Sequence, residues 1–336
     1  MPRTLSYSEL STLLECEARH AFRYTGQLTN GHALRPKVVT PRMQAGKAWG
    51  VAVALWHETG ELAVAEAALE EELAAQLRHL EGLGALIPDE FVERAKTLRA
   101  ALDDYLAHTA RLPGFQGRET ELDVWCPAIT QADGESNRYR FQAFVDGLCR
   151  DQHNRTWIVE FKWRSTLGEL EWASRSPQLA WSVWAARKQG LDVVGVILDE
   201  RLADFPRPVQ RNKDGTPSAR QRCRPEQYEE ACCEAGVEPN PRTLDQLRRI
   251  QWHRRTAVRF TERDLRFAEQ ALAALAARVG QLDRGQLVPV RHASPFTCRT
   301  CLYRDVCADP DDTELVDALF ERRPPKREVA NGSRVR

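Results

Sequence analysis

The chain has 336 residues, 42% hydrophobic and 29% charged, with 48 Lys and Arg balancing 48 Asp and Glu. This composition excludes a disordered chain, a collagen-like repeat and a small disulfide scaffold, and the zero net charge excludes a uniformly basic coat for nucleic acid. No apolar run reaches the roughly 18–20 residues of a membrane span and the N-terminal segment lacks the apolar stretch of a secretory signal, so a cytoplasmic protein is expected, with its nine cysteines reduced or ligating metal.

The first predicted element is a helix running to about Tyr24. Ser6 and Glu9 have capping-box spacing, Leu5 and Leu10 are placed as its hydrophobic staple, and Cys16 falls in its second half. Residues 25–42 read as a loop. Helical spacing resumes near Gly46, and residues 61–110 read as one or two acidic helices. Eleven carboxylates there face four basic side chains, a net charge of −7 that suits a solvated helical face.

After Pro113-Gly114 the pattern changes to strands. Residues 118–127, 138–149 and 156–163 alternate, or are rich in aromatic and β-branched residues. Turn signals at 132–134 and 151–154 separate them. A helix at 176–189, with Ser176-Pro177 as its start, and a buried strand at 193–199 follow. Residues 201–260 carry six prolines and a net charge of +5, and read as a basic insertion. A helix opens at Thr261 and runs to about residue 280, and the chain from about Arg322 reads as a disordered basic tail. The order of elements predicts an α/β protein with a mixed sheet.

Two clusters carry chemistry. Asp146 ends one predicted strand just before Gly147, and Glu160-Phe161-Lys162 lies in the next. Residues two apart on a strand share a face, so Glu160 and Lys162 project together, and an antiparallel pairing brings Asp146 beside Glu160. Two carboxylates at one point can hold a divalent cation through hard oxygen donors, and a lysine beside them can orient a water for attack on phosphate. The plain alternative is a Glu160–Lys162 ion pair on a solvated strand. The second cluster is Cys298-x2-Cys301-x5-Cys307, whose spacing suits one metal centre but supplies three ligands of the four required. Cys126 and Cys149 read as small buried apolar residues, and Cys223, Cys232 and Cys233 have no ligand spacing of their own.

The Asp-Gly strand, the E-x-K strand and the following helix with Gln178 resemble the PD-(D/E)xK nuclease superfamily, in its RecB-like and CRISPR-adaptation branch with an iron–sulfur cluster. The resemblance implies a restriction-endonuclease-like core: a central mixed β-sheet flanked by helices, with a helical N-terminal region and a C-terminal iron–sulfur staple. It implies Asp146, Glu160 and the backbone carbonyl of Phe161 as ligands of Mg2+ or Mn2+, Lys162 as the residue assisting the attacking water, and Gln178 as a contact to substrate or lysine. It adds Glu121 as a further acidic candidate. Two positions depart from the family pattern: Gly50 stands at the usual histidine, with His57 two turns on as a candidate replacement, and Ser182 stands at the usual tyrosine four residues after Gln178. The resemblance also implies Cys16 as the fourth ligand of a [4Fe–4S] cluster with Cys298, Cys301 and Cys307; Zn2+ on the same thiols and unligated thiols are the alternatives.

The implied layout is a helical region at 1–112, a nuclease core at 113–200, the basic insertion at 201–260, a C-terminal helix and cysteine cluster at 261–321, and the tail at 322–336. The implied activity is metal-dependent hydrolysis of DNA, single-stranded or with free ends, by an exonuclease of recombination, repair or phage DNA processing. The competing reading is a catalytically weak or inactive DNA-binding subunit that keeps the fold and the cluster. Arg164, Arg175, Arg187 and the excess in 201–260 are candidate phosphate contacts, and Trp163, Trp172, Trp181 and Trp184 are candidate stacking or core residues. No Walker motif is present, so a helicase or recombination partner is expected on another chain.

Overall fold

A computed structural model describes residues 2–37, 41–82, 89–128 and 135–326. Its centre is a six-stranded mixed sheet with helices on both faces. Strands β1 (Arg3–Ser6), β3 (Gln116–Pro127), β4 (Glu135–Arg150), β5 (Thr156–Arg164), β6 (Val193–Leu202) and β7 (His253–Arg259) build it; β2 (Ala33–Pro36) and β8 (Phe320–Arg323) form a separate antiparallel ribbon. β4 is the spine. β3 runs antiparallel along it, β1 pairs parallel with residues 139–142, and β5 pairs antiparallel with residues 147–150. β6 lies parallel to β5, and β7 closes that side antiparallel to β6.

Helices α1 (Tyr7–Glu15) and α2 (Glu17–His20) follow β1 and lead into a π-helical turn at Ala21–Thr25. The long helices α3 (Pro41–Thr59), α4 (Leu62–Gly82) and α5 (Asp89–His108) come next. Beyond β5 lie α6 (Leu170–Ser174) and α7 (Pro177–Lys188), then α8 (Pro225–Glu234) and α9 (Pro241–Arg248) in the insertion. α10 (Glu262–Asp283) and the short α11 (Pro295–Arg299), α12 (Arg304–Ala308) and α13 (Thr313–Leu319) complete the chain.

Two cores sandwich the sheet. On one face Leu122, Val124, Phe141, Val145, Ile158 and Val196 pack against α1, α7 and α10. On the other Trp157, Val159 and Phe161 pack against α3 and α5. α3 offers Ala45, Ala48, Trp49, Ala52, Val53 and Trp56, the three- and four-residue spacing of one buried helical stripe. Gly195 is required by the close approach of β7: a Cβ there would stand 2.1 Å from the carbonyl oxygen of Val258.

Several sequence expectations need correction. The first helix is preceded by a strand and is interrupted at Cys16, whose extended backbone separates α1 from α2. Ser6 caps α1 by accepting from the Glu9 amide, but the Glu9 side chain turns inward. The loop at 25–42 contains β2, and β6 extends to Leu202. The basic stretch 201–260 ends in β7, a strand of the main sheet, so the inserted part stops near Trp252; it has a small core of Cys223, Tyr228, Cys232 and Leu247. Residues 322–326, expected in the disordered tail, are structured: β8 reaches Arg323, and Lys326 pairs with Glu9. Residues 327–336 and the turn at 132–134 lie outside the described residues. The remaining strands, α7 and α10 fall within a few residues of their expected bounds, with Thr261 and Asp264 forming a reciprocal cap on α10.

Glu9 joins the two ends of the chain. Its carboxylate is fully buried and meets Arg3, His20 and Lys326, while Arg3 also pairs with Asp283 at the end of α10. Burial alone would raise the Glu9 pKa, yet Lys326, His20 and Arg3 hold it down to about 2. A carboxyl with a depressed folded pKa stabilises the fold above its unfolded pKa, near 4.5, and loses that contribution as pH falls towards 2. Glu9→Gln is therefore expected to cost about 3 kcal/mol at neutral pH, measured by urea denaturation. The gap from wild type should close as pH falls from about 4.5 to 2.

Candidate active site

The site forms where β4 and β5 separate. The last ladder pairs are Leu148 with Ile158 and Gly147 with Val159, so the next step places Asp146 opposite Glu160. The strand is irregular here. Phe141, Ala143 and Val145 face the α7 side, whereas Cys149 belongs to the opposite core. The β3–β4 register shifts between Gly117 and Thr120, across from Asp146. Gly147 is needed at this kink, because a Cβ would stand 2.5 Å from the Phe115 ring. The carboxylate of Asp146 crosses to β5 and accepts a hydrogen bond from the Phe161 amide at 2.7 Å.

Glu160 and Lys162 project towards α7. Glu160 is 5% exposed and forms an ion pair with Lys162. Gln178, in the first turn of α7, donates to Glu160 Oε1 at 2.7 Å and accepts from Lys162 Nζ at 3.2 Å. Pro177 at the start of α7 fixes that turn against the strand. Ser182 donates to the Gln178 carbonyl at 2.9 Å, so the residue at the departing position braces the helix. Asp146, Glu160, Lys162 and Gln178 are thus brought together. Phe161 stands opposite Asp199 in the β5–β6 register, with its amide turned to Asp146.

Two further candidates lie elsewhere. Glu121 is exposed and accepts from Gln142 at 2.6 Å. Its neighbours Leu122 and Val124 are buried on the α7 side, so Glu121 points to the opposite face from Glu160. His57 is 1% exposed, and both ring nitrogens are engaged. Nδ1 accepts from the Leu112 amide at 3.1 Å and Nε2 meets the Tyr105 hydroxyl at 3.0 Å. Burial lowers its pKa to about 3, and its ring stacks on Phe161. His57 therefore supports β5 from behind instead of replacing the motif histidine; a Cβ at Gly50 would meet nothing within 4 Å.

Sequence reasoning missed three groups. Tyr7, the first residue of α1, sits within electrostatic reach of Lys162 and Glu160, and its ring meets the edge of Trp181 at 5.9 Å. Burial raises its phenol pKa. Glu200 stands beside Lys162 in the β5–β6 register and pairs with Arg164 and Arg254, and Arg254 also donates to the Gly168 carbonyl at 2.7 Å. Asp199, fully buried on the opposite face, accepts from Tyr105, His253 and Arg255. Burial pushes its pKa up, but His253 and Arg255 hold it below the ordinary carboxylate range. Asp199→Ala is expected to cost about 3–5 kcal/mol by leaving buried cations unpaired, measured by urea denaturation.

Of the candidate nucleic-acid contacts, Trp181 and Trp184 are core, and Trp163 packs on Trp49 at 5.0 Å. Trp172 on α6 is 65% exposed. Arg187 is held by Glu262 at 2.7 Å, while Arg175 and Arg164 are exposed.

Cys16, Cys298, Cys301 and Cys307 line a single cavity of about 250 Å3. Burial raises the Cys307 thiol, and the other three thiols act on it electrostatically. Cys126 and Cys149 are buried, with pKa values pushed up to about 12 and about 11. Among the described residues, no three His, Cys, Asp or Glu side chains stand in a metal-coordinating arrangement.

A family model of the PD-(D/E)XK nuclease superfamily matches residues 4–308. The chain belongs to that superfamily. The sheet and its flanking helices fit the restriction-endonuclease-like fold, and members of the PD-(D/E)XK superfamily are usually metal-dependent nucleases. No curated protein matches the chain. No helix among the described residues is long and apolar enough to cross a membrane.

Proposed function

We propose that the protein is a divalent-metal-dependent DNA exonuclease of the RecB-like branch, cytoplasmic, and active in recombination, repair or phage DNA processing. The observation that carries this reading is the convergence of Asp146, Glu160, Lys162 and Gln178 at one end of β4 and β5, in a chain of this superfamily. The donor set fits Mg2+ or Mn2+: adjacent carboxylates on Asp146 and Glu160, with the carbonyl of Phe161, the residue after Glu160, as a third hard oxygen. A bound cation supplies neutralisation of charge on the scissile phosphate. Lys162 orients the attacking water, and Gln178 holds the Glu160–Lys162 pair in register. Arg164, exposed and paired with Glu200, is the phosphate contact this reading assigns beside the site.

The cavity shared by Cys16, Cys298, Cys301 and Cys307 supports a [4Fe–4S] cluster on four thiolates, with Zn2+ the alternative occupant. Its role here is structural, joining the first helices to the C-terminal segment.

End-labelled single- and double-stranded DNA, incubated with purified protein and Mg2+ or Mn2+, tests the enzymatic reading. Mononucleotides or short oligonucleotides released from one labelled end are the expected product. Internal cuts with both labels retained on long fragments would make the protein an endonuclease. DNA that is bound but left whole would favour the inactive subunit.

A further inference from the structure

A larger cavity, of about 930 Å3, opens next to the cysteine cavity. The π-helical turn, the β2–β8 ribbon and the turn at 300–303 enclose it. Arg19, Arg23, Arg35, Arg323 and Lys326 line it, and among the described residues no carboxylate does. We propose that this groove binds the sugar–phosphate backbone of single-stranded DNA, a second contact surface that rests on the nuclease reading and delivers an unpaired strand to the protein.

The cations are of two kinds. Lys326 is committed to the buried Glu9, and it and Arg23 also lie over the Tyr24 ring, at 5.6 and 5.2 Å. Among the described residues, Arg19, Arg35 and Arg323 pair with surface carboxylates, Glu15 at 2.6 Å and Glu321 at 4.0 and 3.3 Å. Such exposed pairs are weak and can exchange a carboxylate for a phosphate. Lining carbon makes the choice between strand types. Met43 and Leu302 are 57% and 43% exposed at the groove, and Tyr24 forms part of the same wall. Cations beside aromatic and apolar surface suit a strand whose bases are unstacked and accessible; a duplex offers its phosphates and keeps its base faces covered. Arg19 and Tyr303 line both this groove and the cysteine cavity, so the two sites share a wall.

The test uses the full chain carrying Lys162→Ala, so that DNA is not consumed, and a fluorescein-labelled oligothymidylate read by anisotropy over a range of salt. Arg23→Glu with Arg35→Glu is expected to weaken binding at least about tenfold, and to reduce the slope of log affinity against log salt by about 1.4, or 0.7 per lost phosphate contact. The same variant should lose less affinity for a duplex. If the double reversal melts early, Arg35→Gln alone serves, since that side chain is half exposed; its slope should fall by about 0.7. Variants that melt like the parent and bind oligothymidylate with its affinity and slope overturn the proposal. Cleavage by the unmutated protein is scored separately: a protein that cuts DNA while its groove variants bind normally defeats the groove alone. One that never cuts DNA, yet loses binding in the groove variants, defeats the nuclease reading alone.

Discussion

Cys16→Ser is expected to strip the protein of iron and lower its melting temperature by about 10 °C. Cys16 sits at the break between α1 and α2, and its proposed co-ligands begin at Cys298. A cross-link over so long a stretch of chain removes about 5 kcal/mol of unfolded-state entropy, and about 1 kcal/mol shifts the melting point of a domain this large by about 2 °C or more. Besides the ion pairs of Glu9 and Glu17, the neighbourhood is held by one small core. Ala18, Phe22, Leu34, Tyr303, Val306, Val316 and Phe320 form a small separate core beside the cysteines. Absorbance near 400 nm and iron analysis of anaerobically prepared wild type check the ligand set, with both signals lost in the variant. Colourless wild-type protein with stoichiometric zinc would assign the cavity to Zn2+, with the same melting loss expected on substitution. Wild type with no metal and an unchanged melting point in the variant would leave the four thiols as ordinary core cysteines.

Asp146→Asn is expected to reduce DNA cleavage by at least about a thousandfold, equivalent to about 4 kcal/mol of barrier. The amide oxygen can still accept from the Phe161 amide, so the β4–β5 junction should persist. What disappears is one of the two negative charges that the proposed site would offer a cation. The loss should therefore appear as weakened Mn2+ binding by calorimetry together with lost turnover, while the melting curve stays near that of wild type. Equal Mn2+ affinity in the two proteins would remove Asp146 from the ligand set.

Much of this site is written locally. Alternation marks β3, β4 and β5, the Asp-Gly step marks the kink in β4, and the two-residue spacing puts Glu160 and Lys162 on one face. The cysteine spacing is equally local, and Cys16 joined it only through resemblance. What could not be read depends on long-range pairing. Arg3–Ser6 is too short to announce a strand, yet its parallel pairing with β4 brings Tyr7 within electrostatic reach of Lys162 and Glu160. β7 carries three arginines and a histidine among its seven residues and looks like part of a basic insertion. It is a sheet strand because Arg254, Arg255 and His253 meet Glu200 and Asp199 on β6. His57 shares a helix with Gly50, but partner side chains, not helical spacing, decide its role, and those partners come from Tyr105 and Leu112. Glu121 shows the same limit: strand parity, fixed by the buried Leu122 and Val124, turns it away from Glu160.

The most direct measurement of the central claim is the rate of phosphodiester hydrolysis in end-labelled DNA as Mg2+ or Mn2+ is added, for wild type and Lys162→Ala side by side. The account predicts cleavage by wild type that requires the cation and is abolished by EDTA, with Lys162→Ala at least about a hundredfold slower at an unchanged melting temperature. Wild type that degrades DNA no faster than Lys162→Ala, at every cation concentration, would contradict it.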